Sequence, residues 1–150
     1  MSRQKQKGTA FERMVANYMS AFLDDDRIDL IRTHGSMDRG DVGPVYCHGR
    51  YRGLVECKDY AEWGPSLLEG WKAETDRERG NADADFALLV VHRRKCGKSK
   101  CGLQHCYVTV RDLARISGFE PDEAWPESFA GMWVETTLGD ACALIRTMEV

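Results

Sequence analysis

The chain has 150 residues, of which 43% are hydrophobic and 30% charged, and its formal net charge is −3. This composition is typical of a globular domain and excludes a disordered chain or a collagen-like fibre. The length fits one domain over residues 1–150. The longest apolar run, Phe86–Val91, is far too short to span a bilayer, so we expect no membrane partner.

Charge is distributed unevenly along the chain. Residues 1–116 contain 20 Lys and Arg against 17 Asp and Glu, whereas residues 117–150 contain one Arg against seven acidic residues. Because local patches determine electrostatic steering, a mildly acidic total does not exclude a nucleic-acid substrate. We therefore expect a core of about residues 5–116, followed by an acidic C-terminal extension of residues 117–150.

The first half of the chain predicts one helix and three strands. Apolar residues recur at spacings of three and four from Phe11 to Leu23, which predicts an amphipathic helix. Strands are predicted at residues 30–32, 42–46 and 51–58, and the last two are joined as a hairpin. This arrangement places residues 42–46 beside residues 51–58.

The second half predicts a further helix before a buried strand. Pro65 begins a helix that ends near residues 79–80 and starts with a capping-box pattern. The continuous apolar run Phe86–Val91 predicts a buried strand. A short strand follows at residues 106–108, and Thr109 is expected to cap a helix that ends at Ile116.

The C-terminal third carries fewer signals. Residues 118–136 are predicted to be irregular, and Thr137 is expected to cap a last helix that runs towards Met148. The order of elements predicts an α/β fold, in which a single domain has a central mixed β-sheet flanked by helices. Phe86–Val91 would occupy the middle of that sheet.

Glu56 and Lys58 carry the strongest chemical signal. Alternate side chains of a strand share a face, so Glu56 and Lys58 point the same way and Cys57 points into the opposite layer. Asp41 precedes Glu56 by 15 positions and can approach it across the hairpin. Two carboxylates for a hard cation and an ammonium near the attacking water are what phosphodiester hydrolysis needs.

Four short segments together resemble the PD-(D/E)xK nuclease superfamily, and within it the Holliday-junction resolvases of archaea and phages. The matching segments are Lys7-Gly8 with Glu12-Arg13, Gly35-Ser36, Asp41, and Glu56-Cys57-Lys58. The resemblance covers about residues 5–95. The chain departs from the family at Gly40, where relatives have Pro before the Asp, and in the second helix, which offers Lys72 without a Gln.

The resemblance implies a restriction-endonuclease-like fold and a Mg²⁺- or Mn²⁺-dependent DNA endonuclease. Its catalytic residues would be Glu12, Asp41, Glu56 and Lys58. Its metal ligands would be Glu12, Asp41, Glu56 and the backbone carbonyl of Cys57. Lys58 would orient the attacking water or stabilise the transition state.

The expected substrate is a four-way junction or another branched DNA. A homodimer is expected, because C₂ symmetry supplies two matched sites for the two strands that must be nicked. Resemblance and charge together nominate the residues that contact DNA. These are Lys7, Arg13, Arg32, Ser36, Lys72, Arg93, Arg94, Lys98 and Lys100.

The cysteine-bearing loop, residues 96–106, has two interpretations. Cys96, Cys101, His105 and Cys106 offer ligands for a structural Zn²⁺, although C-x₄-C-x₄-C differs from the usual knuckle spacing. Alternatively, the loop is a basic, mobile segment that grips DNA. Six cysteines without a signal peptide predict reduced thiols and a cytoplasmic location, in a bacterium or a phage-infected cell.

Each motif alone has an ordinary structural explanation. Glu56 and Lys58 can form an exposed ion pair, Asp41 can serve as a turn residue, and Glu12 can favour the first turn of a helix. Two other functions therefore stay open. One is a different endonuclease of the same fold, with restriction-type, mismatch or single-strand specificity. The other is a non-catalytic, zinc-stabilised DNA-binding protein.

Overall fold

A computed structural model describes the backbone of residues 3–32 and 37–147 and the side chains of residues 6–32 and 37–146. Ser36, which is predicted to contact DNA, lies outside the described residues. The helices are α1 (Arg3–Leu23), α2 (Pro65–Asn81), α3 (Val110–Ile116), α4 (Glu127–Ala130) and α5 (Leu138–Thr147), with a 3₁₀ helix at Lys98–Leu103. The strands are β1 (Asp29–Leu30), β2 (Val42–Cys47), β3 (Tyr51–Lys58), β4 (Phe86–Val91), β5 (His105–Thr109) and β6 (Trp133–Thr137).

The six strands form one mixed sheet in the order β1-β2-β3-β4-β5-β6. Strands β3 and β4 are parallel because α2 connects them as a crossover, and the other neighbouring pairs are antiparallel. Helices α1 and α5 pack on one face of the sheet and α2 packs on the other. The predicted α/β domain with a central mixed sheet flanked by helices is therefore confirmed.

The core lies around β4, whose six side chains are all completely buried. Cys57 of β3 packs in the cluster formed with α1 and α5, as predicted from the alternation of strand side chains. On the opposite face, Leu89 and Val91 pack with Trp71 of α2 and Tyr107 of β5. Glu56 and Lys58 lie on this second face.

Helix caps follow the sequence at two of three predicted positions. Thr109 accepts a hydrogen bond from the Asp112 backbone N–H at 3.2 Å, and Thr137 accepts one from Asp140 at the same distance. Both threonines cap their helices as predicted. The capping box predicted for α2 is wrong, because Gly64 is the N-cap residue and no side chain caps the helix.

The predicted irregular stretch of residues 118–136 is a second correction. It contains α4 and most of β6, and β6 pairs with β5 as an antiparallel edge strand. The β6 pattern was hard to recognise because its side chains are exposed or half-buried and include Glu135. Leu138, Ala141 and Cys142 of α5 are completely buried, so much of the acidic C-terminal segment belongs to the core.

The helices of the described residues include none that is both long enough and apolar enough to cross a membrane.

Candidate metal centre at the end of β3

Asp41 is held beside the end of β3 by three hydrogen bonds. Its backbone N–H donates to the Val55 carbonyl, and its carbonyl accepts from the Ile31 N–H, both at 2.9 Å. Its side-chain Oδ2 accepts the backbone N–H of Cys57 at 2.8 Å. Asp41 therefore approaches β3 across the β2–β3 pair, as the hairpin predicted.

Gly40 precedes Asp41 in a backbone conformation that excludes proline. Its φ is +96°, a conformation that glycine adopts freely and that proline, with φ fixed near −65°, cannot adopt. A Cβ at this position would also lie 2.9 Å from Leu54 Cδ1. The backbone that presents Asp41 here therefore requires Gly at position 40.

Glu56 and Lys58 extend from the same face of β3, as predicted. Glu56 is 2% exposed, and its carboxyl group lies within hydrogen-bonding distance of Asp41 and Glu78. The Lys58 ammonium lies 2.9 Å from Glu74 Oε2, and its side chain is 16% exposed. The predicted trio of Asp41, Glu56 and Lys58 is thus assembled at one end of β3.

Three further carboxylates converge on Glu56. Asp38 precedes β2, and Glu74 and Glu78 occupy one face of α2 at i and i+4 spacing. One ligand oxygen from each of these residues and from Glu56 lies within 4.8 Å of all the others. We call Asp38, Glu56, Glu74 and Glu78 the acidic cluster.

Several oxygens of the acidic cluster are buried without a hydrogen-bond donor. These are Oε2 of Glu56 and both carboxylate oxygens of Glu78, and Glu78 has no exposed surface. Burying an unpaired carboxylate is costly unless a proton or a cation neutralises it. Carboxylate oxygens are also the ligands that Mg²⁺, Mn²⁺ and Ca²⁺ prefer, so the residues present fit a hard divalent cation.

Glu12 joins this region from α1. Its carboxyl group is in hydrogen-bonding contact with Asp41, and burial together with the Asp41 charge raises the pKa of Glu12 to about 7. Burial likewise raises the pKa of Glu78 to about 8, and burial with the Asp41 contact raises the pKa of Glu56. Without a cation, protons therefore offset part of the negative charge.

Lys58 provides the positive charge of the site. Burial lowers its pKa, but the hydrogen bond with Glu74 and the charge of Glu56 outweigh burial and raise the pKa above its ordinary value. The ammonium is therefore charged at neutral pH. Among the ion pairs of the described residues, Lys58 is the one positively charged group that pairs with a carboxylate of the acidic cluster.

The Cys57 carbonyl has the orientation that the prediction requires. The N–H and carbonyl of one strand residue face the same side of the strand, and the Cys57 N–H bonds to Asp41. The carbonyl of Cys57 therefore faces β2 and Asp41 and not β4. It is available as an additional oxygen ligand next to Asp41.

The predicted DNA-contacting residues lie on several surfaces. Lys7 and Arg94 line a cavity of about 430 Å³ beside the end of β3, where Lys7 Nζ is 3.6 Å from Asp59 Oδ1. Arg13 and Lys98 line another, of about 410 Å³, between α1 and the 3₁₀ helix. Arg32 and Lys100 are exposed.

Lys7 pairs with Asp59 and Arg13 with Asp29, and two further cations are engaged within the protein. Lys72 lies 3.1 Å from Glu69 and above the Tyr107 ring, on the side of α2 that faces β5. The Arg93 guanidinium donates to the Leu103 carbonyl at 2.7 Å. Their predicted roles in DNA binding stay predictions.

The cysteine-bearing loop does not form a metal-binding group. Among these described residues, no three bring their ligand atoms within 4.8 Å of one another. The set is Cys96, Cys101, His105 and Cys106. The three thiols are buried, and His105 Nδ1 lies 2.9 Å from Glu135 Oε2. The buried Gln104 side chain closes the loop instead, accepting from the Arg93 N–H at 2.6 Å and donating to the Cys96 carbonyl at 2.9 Å.

Sequence reasoning missed Asp38, Glu74 and Glu78. One signal was present for Glu78, because it shares the buried face of α2 with Trp71 and Thr75, where a carboxylate needs a partner. Asp38 carried no such signal, since it lies in no predicted helix or strand.

Searches of the chain against protein-family models, curated proteins and solved structures give no match.

Proposed function

We propose that this protein is a divalent-metal-dependent DNA endonuclease of the PD-(D/E)xK type. The observation that supports it best is the assembly of Asp41, Glu56 and Lys58 at the end of β3. Carboxylates for a cation and a charged ammonium stand together there, as phosphodiester hydrolysis requires. The proposed location is the cytoplasm of a bacterial or phage-infected cell, which the six free thiols favour.

The chain's own residues have separate tasks in this proposal. Asp41 and Glu56 would hold the cation with the Cys57 carbonyl, and Glu12 would complete the ligand set directly or through water. A bound Mg²⁺ or Mn²⁺ supplies a water of lowered pKa and offsets charge on the scissile phosphate. Lys58 would donate hydrogen bonds to that water or to the phosphate oxygens, and its raised pKa keeps it charged for this task.

Electrostatics makes a cation necessary before DNA approaches. Glu12, Asp41 and the acidic cluster set six carboxylates against Lys58, so the metal-free site repels a phosphate wherever these groups are ionised. Lys7 and Arg94, which line the cavity beside β3, offer positive charge for the flanking backbone. Cation binding and DNA binding should therefore be linked.

Branched DNA, with the four-way junction first, is the proposed substrate, and the proposed assembly is a homodimer. Both follow from the resemblance to Holliday-junction resolvases and from the symmetry of the junction. The chemistry at β3 is the same for any DNA endonuclease of this type. Substrate choice is therefore the part of the proposal that needs an experiment of its own.

The test compares cleavage of a labelled four-way junction with a matched linear duplex, a fork and a single strand, each with Mg²⁺ and with EDTA. Paired nicks confined to the junction and lost in EDTA are the expected result. Equal cutting of linear or single-stranded DNA would support the nuclease activity but contradict branched DNA as its preferred substrate. Absence of cleavage with both Mg²⁺ and Mn²⁺ would contradict the nuclease and favour a binding protein.

A further inference from the structure

The buried oxygens of Glu56 and Glu78 point to a ligand that the trio of Asp41, Glu56 and Lys58 does not account for. Glu78 has no exposed surface, and neither of its carboxylate oxygens has a hydrogen-bond donor. Oε2 of Glu56 is in the same state. A buried polar atom without a partner is rare in folded proteins, and here three of them belong to two residues of the same cluster.

The size of the acidic cluster fits one cation. Its four ligand oxygens all lie within 4.8 Å of one another. Oxygens on opposite sides of Mg²⁺ or Ca²⁺ are roughly 4 to 5 Å apart, given bonds of about 2.0 to 2.6 Å. A proton shared by two of these carboxylates satisfies only those two groups, whereas one cation can bind all four ligand oxygens at once.

The acidic cluster is separate from the position that Asp41 offers. Asp41 Oδ2 is fixed by the Cys57 N–H, and Asp41 contacts Glu12, which is not part of the cluster. Glu56 is the residue that the two positions share, because it contacts both Asp41 and Glu78. A carboxylate between two positions is the arrangement by which paired metal sites stand about 3.5 to 4 Å apart.

Lys58 forms an ion pair with Glu74 of the acidic cluster. The distance between Lys58 Nζ and Glu74 Oε2 is 2.9 Å, and both side chains are largely buried. An ammonium held in this way points at a protein carboxylate and not at substrate. A divalent cation that takes Glu74 as a ligand would remove the attraction and repel the ammonium.

We propose that the acidic cluster is a second divalent-cation site, and that its occupation releases Lys58 from Glu74. The proposed cation site depends on the geometry of the acidic cluster and on its buried oxygens, whatever reaction the protein catalyses. The release of Lys58 as a step in catalysis rests on the proposed nuclease function. Binding of the second cation would thus free the Lys58 ammonium to act on the water or the phosphate.

The first experiment counts bound Mn²⁺ in the DNA-free protein by electron paramagnetic resonance. The wild type should bind two equivalents, whereas Glu78→Gln and Asp41→Asn should each bind one. Glu69→Gln is the matched control, since Glu69 lies on the same helix but is exposed and pairs with Lys72; it should bind two. One equivalent in the wild type, or two in Glu78→Gln, would overturn the proposal.

The second experiment follows the Lys58 ammonium by ¹⁵N NMR during titration with Mg²⁺, with Lys58→Arg to assign the signal. The shift on adding Mg²⁺ should be large in the wild type and smaller in Glu78→Gln, which keeps only the cation position at Asp41. An unchanged signal in the wild type, or an equal shift in Glu78→Gln, would overturn the release step. If Glu78→Gln fails to fold, Asp38→Asn at an exposed position of the acidic cluster replaces it in both experiments.

Failure of this proposal is distinguishable from failure of the nuclease proposal. Two bound Mn²⁺ without cleavage of any DNA would support the cation site and contradict the nuclease. Metal-dependent cleavage by a protein that binds one Mn²⁺ would support the nuclease and overturn the second site.

Discussion

The acidic cluster and the cysteine-bearing loop both collect metal-binding residue types, yet their side chains have different surroundings. In the acidic cluster, three oxygens of Glu56 and Glu78 are buried without donors. In the loop, the thiols of Cys101 and Cys106 pack in the apolar core, and burial raises the pKa of Cys101 to about 11. A thiolate is the form that binds zinc, so burial of this kind disfavours ligation. The two regions thus differ in the state of their potential ligand atoms, although both contain metal-binding residue types.

The largest expected effect is the loss of DNA cleavage when Asp41 or Lys58, beside the acidic cluster, is replaced. Asp41→Asn and Lys58→Ala should each lower the cleavage rate by about 10²- to 10³-fold or more, because each removes a group that acts on the scissile phosphate or its cation. Binding of branched DNA in Ca²⁺, measured by gel shift, should be largely kept. Full activity in either variant would remove that residue from the mechanism.

The stability of the metal-free protein should depend on pH through the buried carboxylates. The pKa of Glu12 is raised to about 7 and that of Glu78 to about 8, so the folded state binds more protons than the unfolded state between about pH 4.5 and 8. The free energy of unfolding should therefore fall by a few kcal/mol as pH rises through this range. Denaturant unfolding in EDTA would measure the change.

Two controls separate the carboxylates from other titrating groups. Saturating Mg²⁺ should flatten the pH dependence, because the cation replaces the protons. Glu78→Gln should reduce it in EDTA, since the amide does not ionise and Glu12 still does. A stability that rises with pH over the same range in EDTA would contradict the assigned protonation.

On the other side of the comparison, the loop should be independent of metal. Gln104→Ala should lower the free energy of unfolding by about 1 to 3 kcal/mol, because the Arg93 N–H loses its partner. The loss should be the same with added Zn²⁺ and with EDTA, and purified wild type should contain no stoichiometric zinc by elemental analysis. Stoichiometric zinc whose removal lowers Tm would show that the loop is the metal site.

The alternation of side chains in β3 made the central trio predictable. Period two placed Glu56 with Lys58 and opposite Cys57, and the hairpin brought Asp41 to the end of the strand. The other carboxylates near Glu56 come from α2 and from the segment before β2, which the crossover and the Gly40 turn bring close. Such contacts depend on tertiary packing, which a local pattern does not contain.

The same reasoning explains the error at β6. A strand at the sheet edge needs no strict alternation, and Trp133–Thr137 mixes half-buried aliphatic, aromatic and charged side chains. Pro, Trp and Glu before it favoured an irregular interpretation. The pairing of β6 with β5 depends on tertiary contacts. The fully buried β4, by contrast, could be predicted from its six consecutive apolar residues.

The smallest expected effect concerns the exposed cations of the loop. Lys98→Ala with Lys100→Ala should weaken DNA binding modestly and reduce the slope of log K against log salt by about 1 to 2, because two phosphate contacts are lost. Binding at several salt concentrations would measure it. An unchanged slope would place this loop away from the DNA.

The most direct test of the central claim is Mg²⁺-dependent nicking of a labelled four-way junction by wild type, Glu56→Gln and Glu69→Gln in parallel. Glu56 joins the Asp41 position to the acidic cluster, whereas Glu69 is an exposed carboxylate on α2. Nicking by wild type and Glu69→Gln together with its loss in Glu56→Gln is the predicted result. Equal nicking by Glu56→Gln and wild type would contradict a metal-dependent nuclease centre at the end of β3.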